Sequence, residues 1–194
     1  MYGLQKQVLA GGVLVFALAG QVMASSLSDA ERAYSAGDYA KAAKLYTPLA
    51  KGGNAQARLR LGVIYYLGQG VPQDYQVSAE WLRLAAKQGV AGAQNLLGTM
   101  YDLGLDVPQD YREAAKWYRL SAEQGNADGQ YNLGLMYARE LGVQHDILRA
   151  HMWMSLAGKH PEELAFLAKQ MGDDQIAKAQ ELARKCAIKK FKGC

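Results

Sequence analysis

The chain of 194 residues carries 22 Lys and Arg against 18 Asp and Glu, a formal charge of +4, and half of its residues are hydrophobic. That balance excludes a charge-swollen or low-complexity disordered chain and leaves one domain of ordinary size, able to bury a core without metal or dense disulfides. The charge is too small, and too concentrated near one end, to indicate a nucleic-acid partner.

Residues 1–24 read as a signal peptide. Lys6 is followed by the uncharged run Val8 to Gly20, 13 residues long. That is shorter than the roughly 18 residues of a membrane-spanning helix and suits a secretory apolar region. Val22-Met23-Ala24 then places small residues three and one before a cut after Ala24. No cysteine lies near that cut, which argues against a lipid anchor. A periplasmic or secreted protein is therefore expected, starting at Ser25 and meeting the membrane only transiently through its leader.

Residues 25–53 form a partial helical unit. Ser28-Asp29-Ala30-Glu31 has capping-box spacing, and Gly37-Asp38 reads as a short turn between helices over 27–36 and 39–51. Three units of 36 residues follow, over 54–89, 90–125 and 126–161. At constant offset stand Leu61, Leu97 and Leu133; Gly62, Gly98 and Gly134; Tyr65, Tyr101 and Tyr137; Asp74, Asp110 and Asp146; Trp81, Trp117 and Trp153. A period this long and this dense marks a repeat array.

Each unit reads as two helices. Ala57, Leu61, Ile64 and Tyr65 recur at three and four residues, so Ala55 to Leu67 is one amphipathic helix. Gly62 lies beside that stripe, where a missing Cβ lets a neighbouring helix approach; this explains a repeated glycine that costs about 1 kcal/mol of helix propensity. Gly68-Gln69-Gly70 ends the helix, and Asp74 is placed to cap a second one over 75–88. That helix presents Ala79, Leu82, Ala85, Ala86 and the bulky Trp81, and stops at Gly89. The tryptophan and Tyr65 series are read as packing residues.

The recurring pattern A-x-A-x-x-x-L-G-x-x-Y-x-x-G-x-G-V-x-x-D-x-x-x-A-x-x-W-x-x-x-A-x-x-G resembles the Sel-one-like repeat (SLR), a relative of the tetratricopeptide repeat. It covers 54–161 closely and 26–53 loosely. The third unit departs from it, with Gln144 for the proline, His151 for an alanine and Pro161 for the last glycine. The resemblance implies an all-α fold, an α-solenoid of antiparallel helix pairs in a right-handed superhelix, used to bind other proteins.

Residues 162–194 are expected to cap the array, with helices over 161–171 and 173–186; Ile176, Ala179, Leu182 and Ala183 share one face of the second. Cys186 and Cys194 are expected to pair in an oxidising compartment. In a continuous helix they would lie about 12 Å apart, beyond disulfide reach, so the helix must end near Cys186, with Gly193 helping the chain turn back. The excess charge also sits here, in Arg184, Lys185, Lys189, Lys190 and Lys192; without these five and Lys6, 16 basic residues face 18 acidic ones.

Signals for chemistry are sparse. The sequence holds no Walker loop, nucleophile elbow, HExxH or CxxC, and no serine has a lysine three residues on, as a serine β-lactamase would need. His145, His151 and His160 are spaced by six and nine, which gives no i, i+4 metal pair. No enzyme activity, cofactor or metal is expected. The variable positions opposite the core stripe of each first helix are better candidates: Leu59, Val63 and Tyr66; Asn95, Thr99 and Asp102; Tyr131, Leu135 and Ala138. By the resemblance, that side lines the concave groove of a solenoid. The expectation is a non-enzymatic envelope scaffold that holds a protein partner there; the alternative is a binder of peptidoglycan or another envelope polymer, or a weak β-lactamase-like enzyme.

Overall fold

A computed structural model describes residues 26–194. The signal-peptide expectation falls on residues outside that range. Every described element is a helix or a turn, and the fold is an all-α solenoid of antiparallel helix pairs. The helices form two compact units, one ending at Asp74 and one beginning at Tyr75.

The first unit holds α1 (26–35), α2 (Tyr39–Lys51) and α3 (Ala55–Leu67). Asp38 and Asn54 start α2 and α3 by accepting the free amides of Lys41 and Ala57. Helix α1 is already running at residue 26, so Ser28 is a helical residue and not the cap that its spacing suggested. Arg60 of α3 makes a two-pronged ion pair to Glu31 of α1, at 3.2 and 3.1 Å, and its guanidinium lies 4.6 Å above the Tyr34 ring. Behind the loop, an added Cβ on Gly70 would lie 2.4 Å from the Ala40 amide nitrogen. The loop therefore rests directly on the start of α2.

The second unit holds α4 (Tyr75–Lys87), α5 (Ala91–Leu103), α6 (Tyr111–Ala122), α7 (Ala127–Arg139), α8 (Ile147–Ala157), α9 (Pro161–Ala168) and α10 (Asp173–Ile188). Asp110, Asn126 and Asp146 cap α6, α7 and α8. Gln94 and Gln130 each donate a side-chain N–H to the last turn of the preceding helix, at Ala86 and Ala122. Close helix approach falls where the repeated glycine predicts it. A Cβ on Gly98 would lie 2.8 Å from the Tyr118 ring, and one on Gly134 would lie 2.6 Å from Met154 Cγ.

Those contacts correct the reading of the second helices. In α4 and α6 the most deeply buried bulky position is the residue after the tryptophan: Leu82 and Tyr118 are at most 1% exposed, and Tyr46 fills the matching place in the first unit. Trp81 and Trp117 are only half-buried, and Trp153 alone of that series is in the core. The Tyr65 series divides likewise, with Tyr65 and Tyr101 half-buried and Tyr137 buried.

Ala179, Ala183 and Cys186 of α10 face the core, and the helix packs against α8. The chain then reverses, bringing the Cα atoms of Cys186 and Cys194 to 5.6 Å. Helix α10 continues to Ile188, and the reversal is made by Lys190 and Phe191, both left-handed at φ 51° and 66°, with Gly193 following. Phe191 seats its ring on Gly125, where a Cβ would approach Cε2 to 2.9 Å.

Candidate functional site

The nine variable residues all emerge half-buried. They flank the buried stripe of each first helix: Ala57, Leu61 and Ile64 on α3, Ala93, Leu97 and Met100 on α5, Leu133 and Met136 on α7. In the first unit, Leu59, Val63 and Tyr66 lie along α3, and the Tyr66 carbonyl accepts the Gln73 side-chain amide at 2.8 Å.

In the second unit, α5 and α7 are joined by a side-chain hydrogen bond from Asn132 to Asn95, 3.0 Å long. Asn132 belongs to this face and is missed by a selection at fixed repeat positions. Thr99 donates to the Asn95 carbonyl, and the buried Tyr118 hydroxyl lies 3.2 Å from Thr99 Oγ1 and 3.4 Å from Asp102 Oδ2. Thr99 and Asp102 thus also solvate a core phenol. Burial raises the Asp102 carboxyl above its ordinary pKa, while the Tyr118 bond and the Arg139 charge oppose the rise.

At the third pair, Tyr131, Leu135 and Ala138 rest against the core cluster. The Tyr131 ring stacks on His160 with centroids 4.3 Å apart, and burial first, then the Glu163 carboxylate, raises its phenol. The beginning of α9 therefore partly covers this end of the face.

The three histidines do not converge. His145 lies in the exposed loop before α8, His151 is buried in α8, and His160 precedes α9. Burial lowers the pKa of His151, whose Nδ1 has no hydrogen-bond partner among the described residues. His160, Glu162 and Glu163 bring three donor atoms within 4.8 Å of one another at the surface, and a His160–Glu163 contact of 3.7 Å involves two of them. The chemistry these arrangements offer is recognition, through side chains held at fixed spacing on adjacent helices.

The repeat itself decides the family. The Sel1 repeat matches four times, over residues 30–54, 55–90, 91–126 and 127–160. The chain belongs to the Sel1 repeat family. A crystal structure of a Sel1 repeat protein from Oxalobacter formigenes is similar at 29% identity and TM-score 0.61, covering 76% of this Sel1 repeat chain and 64% of that one. The protective antigen c5321 of uropathogenic Escherichia coli, which has an SLR fold, is similar at 27% identity and TM-score 0.55, over 78% of this chain and 41% of that one. This Sel1 repeat chain thus spans less than two thirds of either relative. No protein of curated function matches it. Sel1 repeats are in general non-enzymatic scaffolds for protein interaction.

Proposed function

We propose that this Sel1 repeat protein is a non-enzymatic scaffold of the bacterial cell envelope, exported through a leader cut after Ala24, that takes a segment of a partner protein in the concave groove lined by the variable positions of its first helices. One observation carries the reading. On those helices Leu59, Val63, Tyr66, Tyr131 and Leu135 flank the core stripe half-buried, leaving part of their apolar surface open beside the hydrogen-bonded Asn95 and Asn132. A merely solvated face has no need of that apolar content. Export also accounts for Cys186 and Cys194, which we take to be a disulfide in the mature protein.

The test places a photo-crosslinking side chain at position 95, 135 or 120 in cells. Leu120 is exposed on α6, a second helix, and serves as the control. One and the same protein adduct is expected from positions 95 and 135 and none from 120. Equal adducts from 120, or none from 95 and 135, would refute the face. Export is read from the mass of the envelope-fraction protein, expected to begin at Ser25; an intact chain in the cytosol would refute it.

A further inference from the structure

We infer that the loop of the third repeat forms a binding site for a carboxylate, separate from the nine residues discussed above. A cavity of about 380 Å³ opens there among Arg119 of α6, Tyr137 of α7, His145 and Asp146 of the loop, and Arg149 of α8, with Val143 and Gln144 at its edge. That volume lies at the small end of ligand sites. The two guanidiniums are oriented by one buried ring: Arg119 donates to the Tyr137 hydroxyl at 2.8 Å, and the Arg149 guanidinium carbon lies 5.6 Å from the ring centroid. Among the described residues Arg119 pairs with no acid. Arg149 has only Asp146, at 3.6 Å, whose other oxygen caps α8.

The preceding repeats show that this is a departure. There the loop closes on itself, because Gln73 and Gln109 donate side-chain amides to the carbonyls of Tyr66 and Asp102 at 2.8 and 2.7 Å. His145 stands at that position in the third repeat and makes no such bond. The prolines Pro72 and Pro108 give way to Gln144, and Glu113, which pairs with Lys116, gives way to Arg149. The divergent repeat thus loses the amide that closes the loop and carries a guanidinium where the second repeat has an acid and the first has Val77.

The chemistry of the lining selects the ligand. A pair of guanidinium forks suits an oxyanion able to accept two parallel N–H bonds. Asp146 leaves the two arginines with one net positive charge, which matches a singly charged carboxylate and disfavours a phosphate dianion. The carboxylate can be the end of a peptide chain or an acidic side chain, and the shared group is what the site recognises.

The test is a nuclear magnetic resonance titration of the protein, following the backbone amides of residues 143–149. The probes are N-acetyl-Ala-Ala, its C-terminal amide, N-acetyl-glutamic acid amide and inorganic phosphate. At least one acid is expected to saturate these shifts at millimolar concentration, with the uncharged amide at least ten-fold weaker; which acid binds tighter assigns chain end or side chain. Arg149→Glu, which restores the second-repeat residue, is expected to weaken the acid at least ten-fold, and Arg149→Gln measurably, whereas Lys178→Glu on α10 changes it less than two-fold. The inference is overturned if neither acid binds, if the amide binds equally, if phosphate binds tighter than both acids, or if both Arg149 variants bind like wild type.

Discussion

The contact between the third repeat's loop and α6 can be tested with a single methyl group. An alanine Cβ at Gly142 would stand 2.2 Å from the Tyr111 carbonyl oxygen and 2.5 Å from the Arg112 amide nitrogen, against 3.4 Å for an ordinary contact. Both obstacles are helix backbone, so relief requires the loop to retreat by about 1.2 Å. Gly142 is also left-handed at φ 67°, which costs an L-residue about 1–2 kcal/mol. Gly158 isolates the second cost, since it is left-handed at φ 62° and meets nothing within 4 Å. Gly158→Ala should therefore lose about 1 kcal/mol, and Gly142→Ala about 3 kcal/mol once overpacking of 1–3 kcal/mol is added. The unfolded-state entropy change is common to both variants and cancels in the comparison. Urea unfolding followed by circular dichroism at 222 nm reads the difference. Losses equal within about 0.5 kcal/mol would show that the loop yields freely and that its seat on α6 contributes nothing.

Three further outcomes follow from other parts of the molecule. Burial holds the pKa of His151 below that of an unfolded histidine, so as pH falls through about 6.5 the unfolded chain gains a proton that the folded chain refuses, and stability falls. His151→Ala, the residue found at Ala79 and Ala115, should flatten that decline between pH 7 and pH 5; an unchanged slope in urea midpoints refutes it. Asp102 has a raised pKa, so its ionised form penalises the fold at neutral pH and the penalty fades on acidification. Asp102→Asn keeps an acceptor for Tyr118 and should match or exceed wild-type stability at pH 7, its advantage vanishing near pH 3; a clear loss at pH 7 contradicts this. Replacing Cys186 and Cys194 with serine should cost roughly 2.5 kcal/mol in the chain-entropy model for so short a loop, and reduction of the native protein should lower its urea midpoint by a matching amount. No change with reductant means that the cysteines are not bonded.

Much of the fold was legible because the repeat supplies several copies of the same solution. Helix α3 runs over Ala55–Leu67 as its apolar stripe implied, and the glycines at 98 and 134 lie where helices touch. Periodicity cannot decide which of two adjacent bulky residues turns inward. Trp117 and Tyr118 differ by 100° around the helix, and the choice falls on the phenol that reaches Thr99 and Asp102 across the pair. That tertiary bond also gives two candidate groove residues a structural duty that their variability concealed. The reversal at Lys190 and Phe191 was hidden for a different reason. Left-handed backbone at non-glycine residues has no strong sequence signature, and packing of the Phe191 ring on Gly125 holds it in place. The cavity in the third repeat arises from Gln144, His145 and Arg149 together, each an unremarkable substitution by itself.

The seating of Phe191 on the turn at Gly125, together with α10 against α8, also bears on growth of the array. A solenoid whose last pair offered an open apolar side would recruit the next available helix, including one from another copy of itself. Here α10 and Phe191 occupy that berth. Deleting 173–194 would strip the stopper, leaving a molecule prone to joining its neighbours end to end.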